Sequence, residues 1–410
     1  MPKRGSELFI ILDMGASLAH THHGRLIRSY CHILSSASQD FKVLIPMGSK
    51  IDNPCQNQKV SSILLPSYHP VPFQLTKPSS WIPTLTGIWI RHLYAHSRTL
   101  RLKLILSRII YGFVGALIIV YFSRGYTKTK VIFPTACPAS FWINSFLQRF
   151  KNKTYLYFRL TNTAERHAGF SKSFSLPKEL EKAHDSQRAP TFIGIETNAY
   201  LKALGPSLKV HYLVPTPPLL SHRMQRESAI LGSSGDVTIG FLGSPQSQKR
   251  LELLLEVVER TLVKENPTLH WILQLPNAAK GSFLLQSDSH RIRIHRGFLG
   301  EDIFDKSLAS LDVLFLPYDA KIYRENASAL MYRAADHGIP IICFRGSAFS
   351  QEVEEYKLGW VENSLDEVIE TILNLQPGVR ETFHQSFRAY NQFRLQANIQ
   401  FLGIGENIET

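Results

Sequence analysis

The stretch from Tyr323 to Ile342, YRENASALMYRAADHGIPII, brings together the residue types that hold an anion. Asn326 is suited to cap a helix, ASALMYRAAD is built of helix formers, and Gly338 is placed to end the helix. Pro340 then opens a short apolar strand, PIICF. A loop entering a helix in this way turns the backbone N–H groups around Asn326, Ala327 and Ser328, and the positive end of the helix dipole, toward whatever lies before them. That arrangement binds phosphate. Every α/β chain has such helix starts, so the surrounding order of elements has to decide what this one serves.

Two earlier stretches carry further chemistry. LDMGASLAHTHHGRL places Gly15, His20, His22 and His23 after a first strand. Three histidines suggest metal ligation, but neither a carboxylate nor a cysteine cluster accompanies them, so no metal is expected. FRLTNTAERHAGF follows another strand and offers Arg159 and Asn162. The chain has no GxSxG, GxxxxGK[ST], HExxH or GxGxxG, which removes the usual hydrolase, P-loop, zincin and dinucleotide readings.

The elements that must position these residues are legible as an alternation. Short apolar strands read at 8–13, 41–46, 61–66, 130–134, 154–160, 191–196 and 210–215, with helix-length stretches such as GRLIRSYCHILSSA and PASFWINSFLQRF between them. PTPPLL and LGSSGD interrupt the pattern. It restarts with strands at 237–243, 269–275, 291–295, 312–318 and 340–344, and helices at 249–264, 300–309 and 327–336. Strand, helix, strand in repetition gives a parallel sheet covered on both faces. The expectation is an α/β protein of two Rossmann-like, doubly wound domains facing across a cleft: 1–231, then 232–379, with a terminal helix from 380 to 410 packing back on the first domain. A length of 410 residues agrees with two cores.

Composition narrows the partners. With 44% hydrophobic and 19% charged residues the chain is globular, and a net charge of +13 favours anions. The basic residues are spread along the chain and do not alternate with aromatics in one patch, so nucleic acid is not expected. Cys31, Cys55, Cys137 and Cys343 form no CxxC pair, so neither a zinc site nor a disulfide framework is expected, and a cytoplasmic setting fits. MPKRGSELFIILDMG has too short an apolar run for a signal peptide and reads as a first strand. SRIIYGFVGALIIVYFSRG holds about fourteen apolar residues between Arg108 and Arg124, fewer than the roughly 20 a span needs. It reads as a buried helix, a helix lying on an anionic membrane surface, or a span.

DVLFLPY followed by YRENASALMYRAADHGIPIICFRG resembles the donor-binding segment of the retaining GT-B glycosyltransferases of the Glu-x7-Glu type, the family 4-like group. Counting back from Gly338 places the first motif glutamate on Glu325, which in that family contacts the transferred sugar. The second position falls on Arg333, where the family has a carboxylate accepting from ribose hydroxyls. Arginine has donors only. Arg333 therefore pairs with the diphosphate, marks altered nucleotide recognition or a rotated helix, or is a solvated helix-face residue. IGFLGSPQSQKRLELLLEVVE resembles the segment that opens the family's donor domain: Gly243 and Lys249 keep its spacing, and Arg250 stands where glycine is usual. No Asp-x-Asp, the metal-diphosphate motif of the other main glycosyltransferase fold, is present.

The resemblance implies a glycosyltransferase that moves a sugar from a nucleoside-diphosphate sugar to a glycan or lipid-linked acceptor, with retention and with no cofactor or metal. It implies catalytic roles for Glu325, Lys249 and His20. Gly243, Lys249, Arg250, Tyr318, Asn326, Ala327, Ser328 and Arg333 fall on the donor side. Gly15, His22, His23, Arg159 and Asn162 fall on the acceptor side. The alternative is a subunit of the same fold that binds without catalysis.

Overall fold

The computed structural model describes residues 7–13, 22–47, 60–66, 98–136, 140, 143, 146–147, 154–160, 190–204, 211–219, 235–243, 249–263, 268–277 and 290–404. By internal contacts the chain divides into two compact units. The first comprises Met1–Glu196, Tyr200–Pro215 and Ala397–Thr410, and the second Thr197–Ala199 and Thr216–Gln396.

The first unit is built on β1 (Glu7–Leu12), β2 (Phe41–Met47), β3 (Val60–Pro66), β4 (Lys128–Phe133), β5 (Thr154–Leu160), β6 (Thr191–Ile195) and β7 (His211–Leu213). They pair in the order β3-β2-β1-β4-β5-β6-β7, every pairing parallel. The chain order reverses between β1 and β4, the doubly wound arrangement. Phe9, Ile10 and Ile11 are wholly buried, as are Val131, Ile132 and Phe133 beside them. Consecutive burial of this kind requires cover on both faces of the sheet. Helices α1 (His22–Ser36), α2 (Arg98–Phe122) and α3 (Asn198–Leu204) belong to the intervening segments.

The second unit has β8 (Val237–Phe241), α4 (Leu251–Val263), β9 (Leu269–Leu275), β10 (Ile292–Arg296), α5 (Glu301–Ala309), β11 (Val313–Leu316), α6 (Ala329–His337), β12 (Ile341–Phe344), α7 (Ala348–Glu355), β13 (Gly359–Glu362) and α8 (Leu365–Leu373). Its sheet runs β10-β9-β8-β11-β12-β13, again all parallel. The reversal falls between β8 and β11, and the carboxyl ends of those two strands bound the crevice where such sheets take ligands.

The last helix, α9 (Val379–Leu402), starts in the second unit and ends in the first. In the second unit Arg394 is wholly buried. It bonds the Asp336 carboxylate at 2.8 Å and the Thr216 carbonyl at 2.8 Å, with its guanidinium over the rings of Tyr332 and Tyr390. In the first unit buried Lys130 donates to the carbonyls of Leu402 and Gly403, both at 3.1 Å, and closes the last turn of the helix. Phe401 packs edge-on against Tyr157 there.

Two expectations need correction. Cys31 is disulfide-bonded, against the expectation of no disulfide, whereas Cys343 is free and buried. The helix start read at Asn326 lies two residues later, as described below. Most of PASFWINSFLQRF and of LGSSGD falls outside the described residues. No helix among the described residues is long and apolar enough to cross a membrane.

Candidate functional site

The chain leaves β8 through Leu242 and Gly243, and leaves β11 through Pro317 and Tyr318. The two strands are neighbours, with Val313 opposite Ile239 and Leu314 opposite Gly240, so both exits lie at the reversal point of the sheet. Gly243 has φ +104, a conformation open to glycine. Its backbone N–H donates to Gln274 Oε1 at 2.7 Å, and Gln274 Nε2 donates to the Gly297 carbonyl at 2.8 Å. One buried side chain thus joins the exits of β8 and β10.

Lys249 enters this corner. Its Nζ lies 5.2 Å from the centre of the Tyr318 ring, on the face where the ring quadrupole attracts a cation. A Cβ at Gly243 would stand 2.8 Å from the same Nζ and 3.6 Å from Leu330 Cδ2, so the glycine leaves the ammonium its space and the start of α6 is adjacent. Among the described residues no carboxylate pairs with Lys249. Burial without a counter-charge pushes its pKa down from 10.5 to about 8. A desolvated ammonium facing a strand-end crevice is stabilised by an arriving anion.

Helix α6 is aimed from the same corner. Its cap is Ser328, in extended conformation, whose hydroxyl accepts from the Met331 N–H at 3.2 Å. The cap is not Asn326, because that amide is turned back to donate to the Ile322 carbonyl at 2.7 Å and closes the preceding turn. The competition between local turn bonds and helix capping explains the shift. Ser328 is also hydrogen-bonded to the Tyr318 phenol, whose pKa is raised by burial, then by Tyr323. Tyr318, Tyr323 and Phe349 form an aromatic cluster with centroids 4.7 to 5.8 Å apart that backs the loop. Gly338 ends α6 in the left-handed region, φ 64, ψ 36.

The remaining donor-side residues divide. Glu325 and Ala327 are half-buried on the loop before the cap, and the Glu325 carbonyl accepts from Thr197, grouped with the same unit, at 2.8 Å. Arg250 is exposed, has φ 49, and lies over the Phe344 ring at 5.7 Å. Arg333 is not a solvated helix-face residue. Its guanidinium pairs with Asp305 and lies 4.2 Å from the centre of the Phe304 ring, both on α5. It joins two helices, and its carboxylate partner is a residue the sequence reading passed over. Gln274 was passed over too, although a lone amide near the end of the buried run LHWILQL was a usable signal.

In the first unit Arg159 is wholly buried and corrects the expectation that it is offered to an acceptor. It pairs with Glu196 and donates to the carbonyls of Val214 at 3.2 Å and Pro134 at 3.3 Å. It ties together the exits of β4 and β5 and the segments after β6 and β7. His22 and His23 occupy the first turn of α1. Gly15, His20 and Asn162 lie outside the described residues. No group of three or more histidine, cysteine or acidic side chains able to hold a metal occurs among the described residues.

No family model matches the chain, and no curated protein matches it in sequence. Solved structures do. A UDP-forming α,α-trehalose-phosphate synthase from Burkholderia xenovorans superposes with a TM-score of 0.62 at 11% identity, over 99% of this chain and 100% of that one. A sucrose-phosphate synthase from Thermosynechococcus elongatus gives 0.57 at 11% identity over 98% of each chain. Anabaena HepE, in complex with UDP and glucose, gives 0.51 at 11% identity over 97% and 98%. At these identities the likeness is one of fold, and it extends over nearly the whole of each chain. Two parallel sheets, each reversing in mid-order, together with this full-length similarity, show that the chain has the GT-B fold, with two Rossmann-like units in succession.

Proposed function

We propose that the chain is a glycosyltransferase that takes a sugar from a nucleoside-diphosphate sugar and joins it to a glycan or lipid-linked acceptor. The observation that carries this reading is Lys249, an ammonium desolvated to a pKa of about 8 beside Gly243 and Tyr318 at the reversal point of the second sheet. An anion is the ligand that offsets such a group, and the start of α6 supplies further N–H donors beside it. The UDP and glucose of the HepE complex make UDP-sugars the first donors to try.

In this reading the bond between the anomeric carbon and the diphosphate oxygen breaks while the acceptor hydroxyl forms the new glycosidic bond and passes its proton to the departing diphosphate. Negative charge gathers on the departing diphosphate, where Lys249 and the N–H groups from Ala327 to Ser328 oppose it, with exposed Arg250 nearby in sequence. Glu325 accepts hydroxyls of the transferred sugar. Gly15, His20, His22, His23 and Asn162 serve the acceptor side. Attack from the face that the diphosphate leaves gives retention, and the positive groups above take the place of a metal. The expected role is in the synthesis of cell-surface polysaccharide or lipopolysaccharide.

A second reading has a specific observation behind it. Arg333 is held by Asp305 and Phe304. A donor-only side chain stands where the resembling family has an acceptor. In that reading the chain binds a nucleotide sugar without transferring it. Incubation of the purified chain with UDP-, GDP-, ADP- and dTDP-sugars separates the two: transfer or slow release of free sugar supports the enzyme, and binding with neither supports the binding subunit.

A further inference from the structure

Helix α2 is apolar on both of its sides. Ala116 and Ile119 are wholly buried, and Gly115 stands close against Ile143. On the opposite side Ile110 is 45% exposed, Phe113 45%, Leu117 42% and Tyr121 62%. Steps of three and four residues keep these four on one stripe, about 16 Å long at 1.5 Å per residue. The other large apolar side chains exposed among the described residues are Val263 at the end of α4, Phe298 on the loop after β10 and Ile303 on α5. Scattered singles are ordinary on a soluble surface, whereas a continuous stripe marks a surface that meets something apolar.

Charge says what that is. The segment from Arg98 to Phe122 contains no aspartate or glutamate, and its basic residues are Arg98, Arg101, Lys103 and Arg108. At the other end exposed Arg124 lies 5.7 Å from the Tyr121 ring centre, and Lys42 lies 5.3 Å from that of Phe122. The apolar stripe therefore finishes in an aromatic ring carrying a cation, Tyr121 with Arg124, within a chain of net charge +13. A protein partner would have to cover the stripe and also answer the positive charge of a segment without a single acid. A bilayer does both, with acyl chains beneath the stripe and anionic headgroups around Arg124.

We propose that this face of α2, with Ile110, Phe113, Leu117 and Tyr121 inserted and Arg124 at the headgroups, rests on an anionic lipid bilayer in the plane of the interface. The inference rests on the functional reading above to the extent that a membrane-borne acceptor gives the docking its purpose. The surface itself is read from α2 alone.

The test is co-sedimentation of the full chain with vesicles of phosphatidylcholine alone and of phosphatidylcholine with phosphatidylglycerol. UDP binding is measured on the same preparations. The parent is expected to partition onto the anionic vesicles and to be largely released by high salt. Ile110→Ser with Leu117→Ser is expected to lower partitioning about tenfold or more, and Arg124→Glu about fivefold, with melting temperature and UDP binding retained. A parent that stays in solution, equal binding to both vesicle types, or a double variant that partitions like the parent overturns the proposal. A parent that forms dimers in light scattering, dispersed by the double variant, assigns the stripe to a second copy and also overturns it. Vesicle binding without UDP binding sinks the functional reading instead and leaves the surface standing.

Discussion

The Lys249 ammonium lies over the face of the Tyr318 ring, 5.2 Å from its centre, with no carboxylate partner among the described residues. The pairing ties the loop after β8 to the exit of β11 and has a pH signature. Burial brings the Lys249 pKa down from 10.5 to about 8 in the folded chain. Between those values the unfolded chain holds the extra proton, so stability rises with pH across the window, and the cost of burying the charge is fully present below about pH 8. Phosphate binding has the opposite dependence because it needs the ammonium. Affinity for a nucleoside diphosphate is expected to fall about tenfold between about pH 7 and about pH 9, as the proton leaves. Calorimetric titration at the two pH values measures this, and equal affinities would place the diphosphate away from Lys249.

The Arg333–Asp305 pair is partly exposed, so its coupling is screened. Arg333→Glu sets two carboxylates together and is expected to lower stability by about 1 kcal/mol, while Asp305→Lys added to it restores most of the loss. Chemical denaturation of the parent, both single variants and the double variant gives the coupling. Additive losses would show that the pair contributes nothing and that Arg333 is held by Phe304 alone.

Asp336→Ala leaves the Arg394 guanidinium buried without its carboxylate, and it also removes the acceptor that Asp336 Oδ2 provides for the Leu219 N–H at 3.2 Å. A loss of about 3–5 kcal/mol is expected, appearing as a large fall in melting temperature. A change below about 1 kcal/mol would mean that water reaches the guanidinium and replaces the pair.

Glu325→Gln keeps shape and removes the charge of the acceptor. A fall in transfer rate of about 10²-fold or more is expected at unchanged melting temperature. Transfer at the parent rate would show that Glu325 does not contact the donor sugar.

The strands were the most legible part of the sequence. Thr154–Leu160 and Leu269–Leu275 are runs apolar enough to be bounded to the residue, because a strand covered on both faces has to be apolar throughout. β13 was not read: GWVE is half-buried at every position, sits at the edge of its sheet and has no such run. Gly243 and Lys249 stood out only through the resemblance to a family segment and Gly338 as a helix end, and the sequence offered no access to partners distant along the chain. Arg159 looked available at a strand end until Glu196 and two carbonyls were brought around it. Arg333 was open between a diphosphate contact, altered nucleotide recognition, a rotated helix and a solvated face until α5 placed Phe304 and Asp305 beside it. Asn326 reads as the cap in the sequence, and Ser328 takes that place because of a turn bond to Ile322 that composition does not show.

The corner of Lys249, Gly243 and Tyr318 is proposed to bind the diphosphate of a sugar nucleotide. The most direct test is calorimetric titration of UDP, GDP, ADP and dTDP into the parent and into Lys249→Ala at neutral pH, with melting temperatures recorded alongside. At least one nucleotide is expected to bind with one-to-one stoichiometry. Lys249→Ala is expected to weaken that nucleotide by about 1.5–3 kcal/mol, roughly 10- to 150-fold, with no loss of thermal stability. Failure of all four to bind, or an affinity indifferent to Lys249→Ala, would contradict it.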